Sequence, residues 1–165
     1  MTREEALELL KSDELIELGM RAHAKRQSLH PAEIVTYSVR SNDHESLNSA
    51  AVRVMFDPGD PALAQLDEFQ GASAIVPVCV PGTTATEYLK FLAVCRLYLE
   101  GGHIQLDAEW SGLKVAQIAL RFGADDFGDT KAGSATSEEE IRRVIRDAGF
   151  VPKKRDALYR VLVVN

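Results

Sequence analysis

Two short stretches hold the side chains best suited to chemistry: HIQLDAEW at 103–110 and ADDFGDT at 124–130. They contribute His103, Gln105, Trp110, Asp125, Asp126 and Thr130. A histidine moves protons near neutral pH or holds a metal. Amides and hydroxyls both donate and accept hydrogen bonds, whereas a carboxylate only accepts. His103 and Gln105 share parity on a stretch that reads as a strand, so both side chains point to one side. Asp125 and Asp126 are neighbours, so on a strand they face opposite ways and make a poor metal or acid/base pair. They also read as a turn device before Gly128. His103 reads first as a hydrogen-bonded interior histidine and second as a ligand-binding one.

Other candidate donors are sparse. His23, His30 and His44 are scattered and lack zinc-site spacing. Cys79 and Cys95 lie in apolar surroundings and read as small buried hydrophobes rather than a disulfide. No GxSxG, GxGxxG or P-loop is present, and the glycines of EGGHIQ follow a helix instead of opening one. The expectation is therefore no metal and no resident cofactor.

The positioning elements begin with Thr2 and Glu5, a capping box that opens a short helix. Ser12 is expected to cap a second helix, whose buried face would hold Leu15, Ile16, Leu18, Gly19, Ala22 and His23 and which stops near Pro31. IVTYSV (34–39) and AAVRVMF (50–56) read as strands that pair as a hairpin across a polar loop. A short helix through Leu63, Leu66 and Phe69 follows, ending at Gly71. ASAIVPVCV (72–80) is a continuous apolar run, the mark of a strand buried on both faces, with Pro77 at an edge or bulge. Thr84 with Glu87 and Ser137 with Glu140 open two further helices. A largely buried helix is expected from Leu113 to Phe122, and ALYRVLVV is expected to close the chain as a strand. KKR at 153–155 reads as a solvated turn.

At 165 residues one domain is expected over 1–165: a helical segment (1–31), a strand pair (34–56) and a βα-repeat portion (72–165). The net charge of −6 argues against nucleic-acid or anionic-membrane partners, which need a basic surface. No apolar run approaches the ~20 residues that span a bilayer. The acidic, amphipathic MTREEALELL is unlike a secretory signal, so a cytoplasmic location is expected.

Four stretches carry a family resemblance: EALELLKSDELIELGMRAHAKRQSLHPAEIVTYSV, TEYLKFLAVCRLYLEGGHIQ, GLKVAQIALRFGADDFGDT and TSEEEIRRVIRDAGFVPKKRDALYRVL. Together the chain resembles the radical S-adenosylmethionine enzymes of the futalosine route to menaquinone, dehypoxanthine futalosine cyclase and aminofutalosine synthase, and their relative that helps build the deazaflavin cofactor. The resemblance implies a (β/α) barrel with HIQ and the aspartates lining a substrate cavity. It also implies a CxxxCxxC loop after the first strand, and none is here. A complete barrel takes ~250 residues. Two departures stand out: Trp110 sits late relative to the family's tryptophan, and Asp125 replaces an asparagine.

The expected fold is therefore α/β: a partial (β/α) barrel or an open, mostly parallel sheet with helices, plus N-terminal helices. The expected role is a non-catalytic, small-molecule-binding or accessory relative, with iron–sulfur cluster and S-adenosylmethionine absent. The alternative is an enzyme of futalosine or menaquinone metabolism that works without its own cluster or completes a site with a partner chain. Exposed sheet edges predict a homodimer, through AIVPVCV and ALYRVLVV, and a menaquinone-pathway enzyme is a further candidate partner.

Overall fold

The computed structural model describes residues 1–40, 50–61, 63–131 and 136–163. The polar loop expected at 41–49, with His44, lies outside them. Helices α1 (Arg3–Lys11) and α2 (Leu15–Leu29) precede strands β1 (Ile34–Arg40) and β2 (Ala51–Phe56). Then come α3 (Ala64–Glu68), β3 (Ala74–Cys79), α4 (Ala85–Tyr98) and β4 (His103–Ile104). Helix α5 (Ala108–Ala119) runs into a 3-10 turn at Leu120–Phe122, followed by β5 (Asp126–Lys131), α6 (Glu138–Asp147) and β6 (Val151–Lys154).

All three capping boxes form: Thr2 with Glu5, Thr84 with Glu87 and Ser137 with Glu140. Each satisfies two orphan amides through residues three apart, so neighbouring sequence suffices to set the helix start. The cap of α2 is different. Ser12 ends α1 instead, and α2 begins after Glu14 with no side-chain cap bond. On α2, Leu18, Gly19 and Ala22 are buried as expected, but Ile16 points to solvent.

The expected hairpin between β1 and β2 is not formed. Strand β1 pairs in parallel with β5 and β6, and β2 pairs in parallel with β3, which pairs with β4. These two three-stranded sheets are joined where β4 runs on beside β5. Asp125 N–H donates to Ile104 O at 3.1 Å, and Leu106 N–H to Asp126 O at 2.9 Å. The order is β2-β3-β4-β5-β1-β6, an open, all-parallel sheet. Among the described residues β2 and β6 do not pair, so no closed barrel forms.

Parity assigns the faces. Val54 and Phe56 of β2 lie beside Pro77 and Cys79 of β3 and turn to the helices, where Phe56 stacks on Phe91 of α4 at 4.2 Å. Arg53 and Met55 alternate to the opposite, inner face and are largely exposed. Pro77 shares parity with Ser73 and Ile75, whose carbonyls accept from β4, but β4 stops short of it. Its missing N–H thus falls past the last paired residues of β3 and β4, Ile75 and Ile104.

The chain's end departs most from expectation. VPKK forms β6, while 157–163 makes no strand, only an isolated bridge between Arg155 and Val161. Arg155, expected in a solvated turn, is 2 % exposed. Helix α5 also begins earlier than expected and kinks at Gly112. Within it only Ala116 and Ala119 are buried, and Ile118 is half exposed.

Candidate functional site

Asp125 and Asp126 straddle the seam between β4 and β5 and face opposite ways, as their adjacency requires. Asp125 turns toward the helical layer. Its Oδ1 accepts from Arg96 Nη2 at 2.7 Å and from the Ile104 N–H at 2.8 Å. Its Oδ2 lies 2.6 Å from His103 Nδ1 and 3.3 Å from His30 Nε2. Arg96 comes from α4 and is buried. Its other nitrogens donate to Gly123 O at 2.7 Å and Gly102 O at 2.9 Å. Gly123 has φ 101°, and a Cβ there would meet Arg96 Cβ and Cγ at 2.8 Å, so only glycine lets the arginine pass.

The electrostatics follow from this packing. Burial opposes charge on Asp125, but the His103 hydrogen bond and the Arg96 guanidinium outweigh it and lower its pKa. Burial likewise favours neutral His103, yet the Asp125 hydrogen bond and charge raise its pKa. For His30 burial dominates, and its pKa is lowered. His103 is therefore the ring that carries a proton first.

Asp126 faces the inner wall. Its Oδ1 accepts from Arg155 Nη2 and from the Gly128 N–H, both at 2.8 Å. Its Oδ2 accepts from Thr36 Oγ1 at 2.5 Å and from Arg155 Nε. Burial raises the Asp126 pKa, opposed by the hydrogen bonds and charge of Arg155 and the hydrogen bond of Thr36. Burial works against the Arg155 charge, but the hydrogen bonds and charge of Asp126 prevail and raise its pKa. Gln105 Oε1 accepts from Arg155 Nη2 at 3.3 Å and from the Tyr159 hydroxyl.

Four planar groups then stack in a column. His30 lies 4.9 Å from His103, and His103 lies 5.2 Å from Tyr159, each pair tilted by 14°. The Arg155 guanidinium sits 4.0 Å from the centre of the Tyr159 ring. His30, His103 and Asp125 place ligand atoms within 4.8 Å of one another. Their geometry nonetheless suits a shared proton better than a metal ion: lone pairs lie in the ring planes, and near-parallel stacked planes do not meet at one point. Arg96 also neutralises the carboxylate.

Of the residues singled out from sequence, His103, Gln105, Asp125 and Asp126 converge. Trp110 does not join them; its ring packs against Tyr88 at 5.0 Å and its backbone N–H donates to the capping Asp107 carboxylate. Thr130 lies farther along β5, opposite Val39, its hydroxyl reaching Thr136 O at 3.5 Å. Sequence reasoning missed His30, Thr36, Arg96, Arg155 and Tyr159. A signal existed for Arg96, since it falls on the apolar stripe of α4 with Leu92 and Leu99. Two buried aspartates demand two cations.

A profile of the family described as the CofH/MqnC C-terminal region matches residues 73–165. The 5-amino-6-(D-ribitylamino)uracil–L-tyrosine 4-hydroxyphenyl transferase of Methanothermobacter thermautotrophicus is 40 % identical over 97 residues, covering 50 % of this chain and 26 % of its own. The enzyme of the same name from Methanocaldococcus jannaschii is 38 % identical over 95 residues, covering 49 % and 26 %. The cyclic dehypoxanthine futalosine synthase of Streptomyces coelicolor is 37 % identical over 93 residues, covering 50 % and 23 %. The match thus spans about a quarter of the length of these curated relatives.

Proposed function

Because this chain belongs to the CofH/MqnC C-terminal region family, we propose that it binds a small polar molecule on the inner wall of its open sheet, as a non-catalytic or accessory relative of the radical enzymes. The donor set carries this reading. A [4Fe–4S] cluster of this class needs three thiolates from one loop. Within these 165 residues there are two cysteines, both buried and on different elements. Burial pushes the Cys79 thiol up to about 12 and raises Cys95 as well, so neither supplies a thiolate at neutral pH. These residues do not fit the cluster.

What remains is an inner wall on which His103 and Arg53 are partly exposed and Gln105 lies under the Tyr159 ring, while buried Asp126 and Thr36 hold Arg155 in place beside them. The relatives act, by name, on a ribitylaminouracil and form a cyclic futalosine. Both are ring systems bearing polar groups, and such a wall suits that chemistry. A cytoplasmic homodimer, with a menaquinone-pathway enzyme as further partner, belongs to the same proposal. Among the described residues no helix is long and apolar enough to cross a membrane. The second reading is an enzyme whose site is completed by another chain. The exposed inner face of β2, with Arg53 and Met55, favours it.

Two experiments test the first reading. Thermal-shift titration with 5-amino-6-ribitylaminouracil and dehypoxanthine futalosine should raise Tm for at least one compound; flat curves for both would defeat it. Anaerobic reconstitution with iron and sulfide should leave a colourless protein. A brown product that cleaves S-adenosylmethionine would replace this reading with the catalytic one.

A further inference from the structure

The segment after β6 folds back over the inner wall and occupies it. We propose that residues 156–162 form a displaceable strap, and that its Tyr159 ring stands in the place of a planar ring carrying a hydrogen-bond donor. The proposal deepens the inner-wall reading and rests on it.

Tyr159 is the one non-glycine residue with positive φ among the described residues, at 63°. Side chains other than glycine, asparagine and aspartate rarely adopt that conformation. The ring is nevertheless 7 % exposed, stacked on His103, with its hydroxyl given to Gln105. That backbone belongs to a turn centred on Asp156, whose Oδ1 accepts from the Leu158 and Arg160 N–H groups and whose carbonyl accepts from the Tyr159 N–H; the Tyr159 ring is what anchors this turn to the wall. Apart from that ring, the turn is thinly attached to the sheet. Leu158, Val161 and Leu162 are exposed. Leu162 N–H donates to Lys154 O at 2.8 Å, on β6. Ala50 N–H reaches Ala157 O at 3.4 Å, beside β2. The strap therefore spans the gap between the two strands that do not pair. A segment with few buried apolar groups and exposed hydrogen bonds opens at low cost.

When the strap lifts, Tyr159 leaves an imidazole face flanked by the amide oxygen of Gln105. Arg155 precedes the strap and stays on Asp126 through its own paired bonds. A planar ring can then stack on His103 and donate an O–H or N–H to Gln105 Oε1. Such a ligand competes with Tyr159, so its apparent affinity is reduced by the fraction of closed molecules.

The test uses phenol as the probe and anisole as its counterpart without a donor, followed by NMR of the His103 ring. Y159G removes the ring and relaxes the backbone. It should bind phenol about tenfold more tightly than the unaltered chain and prefer phenol to anisole. Equal phenol affinity in both proteins, with shifts at His103, overturns the strap while leaving the inner-wall site standing. No shift at His103 in folded Y159G overturns both. Y159F keeps the ring and backbone but loses the hydroxyl. It should speed amide exchange across 156–162, and unchanged exchange defeats Tyr159 as the latch.

Discussion

Asp125 and Asp126 are adjacent and chemically identical, and both are buried against an arginine. The partners differ in where they come from. Arg96 belongs to α4, a helix packed into the core and opened by a capping box. Arg155 belongs to the end of β6, an edge strand leading into the strap. One aspartate therefore staples the sheet to its helical layer, and the other holds the start of the strap to the inner wall. The two pairs differ in what covers them: a packed helix over Arg96, and a strap joined to its neighbours by few bonds over Arg155.

The sharpest way to break this comparison is D125N. It leaves Arg96 buried without its counter-charge, and loss of one partner from a buried pair costs about 3–5 kcal/mol. At roughly 2–4 °C per kcal/mol for a chain of this size, calorimetry should show a large fall in Tm. A change of under about 1 kcal/mol would mean that Arg96 reaches water after all. R155M should cost less, about 1–3 kcal/mol, because the freed Asp126 is hydrated once the strap lifts. Hydrogen exchange should rise across 156–162 and stay unchanged in α4. Equal losses in D125N and R155M would erase the distinction between the two regions.

A smaller effect sharpens the electrostatic side. His103 should titrate above its ordinary value of about 6.5, because Asp125 outweighs burial. Its contribution to stability is then complete below the unfolded pKa and lost as pH rises through the folded one. His30, lowered by burial, works the other way: its contribution is present above the unfolded pKa and lost as pH falls. NMR titration in the D125N background should move the His103 midpoint below the ordinary value. A midpoint that stays up would assign the shift to some group other than Asp125.

How much of this was legible in the sequence follows from the distance over which each feature is decided. The capping boxes and the apolar run at β3 depend on neighbours within a turn or a strand, and both were read. So was the opposite facing of Asp125 and Asp126, which follows from a period of two. The hairpin was misread because β1 and β2 are both β-rich and close in sequence. Local propensity cannot say that each finds parallel partners far along the chain. KKR at 153–155 reads as a solvated turn because three cations in a row have little strand preference, yet Lys153 and Lys154 end a strand because β1 offers an edge. Arg155 was read as solvated because nothing beside it in sequence is acidic except Asp156. Its true partner is Asp126, brought there by the pairing of β5 and β6 around β1.

The amino-acid order alone determined the starts of α1, α4 and α6, the βα alternation, the family resemblance and the shortage of thiolates, since each is a matter of local spacing or of counting. Tertiary structure decided which cation meets which aspartate, which histidines stack, and that the chain's own tail lies on the inner wall. Those outcomes hang on contacts between residues tens of positions apart, where burial changes a side chain's charge and its company, and no local pattern records that in advance.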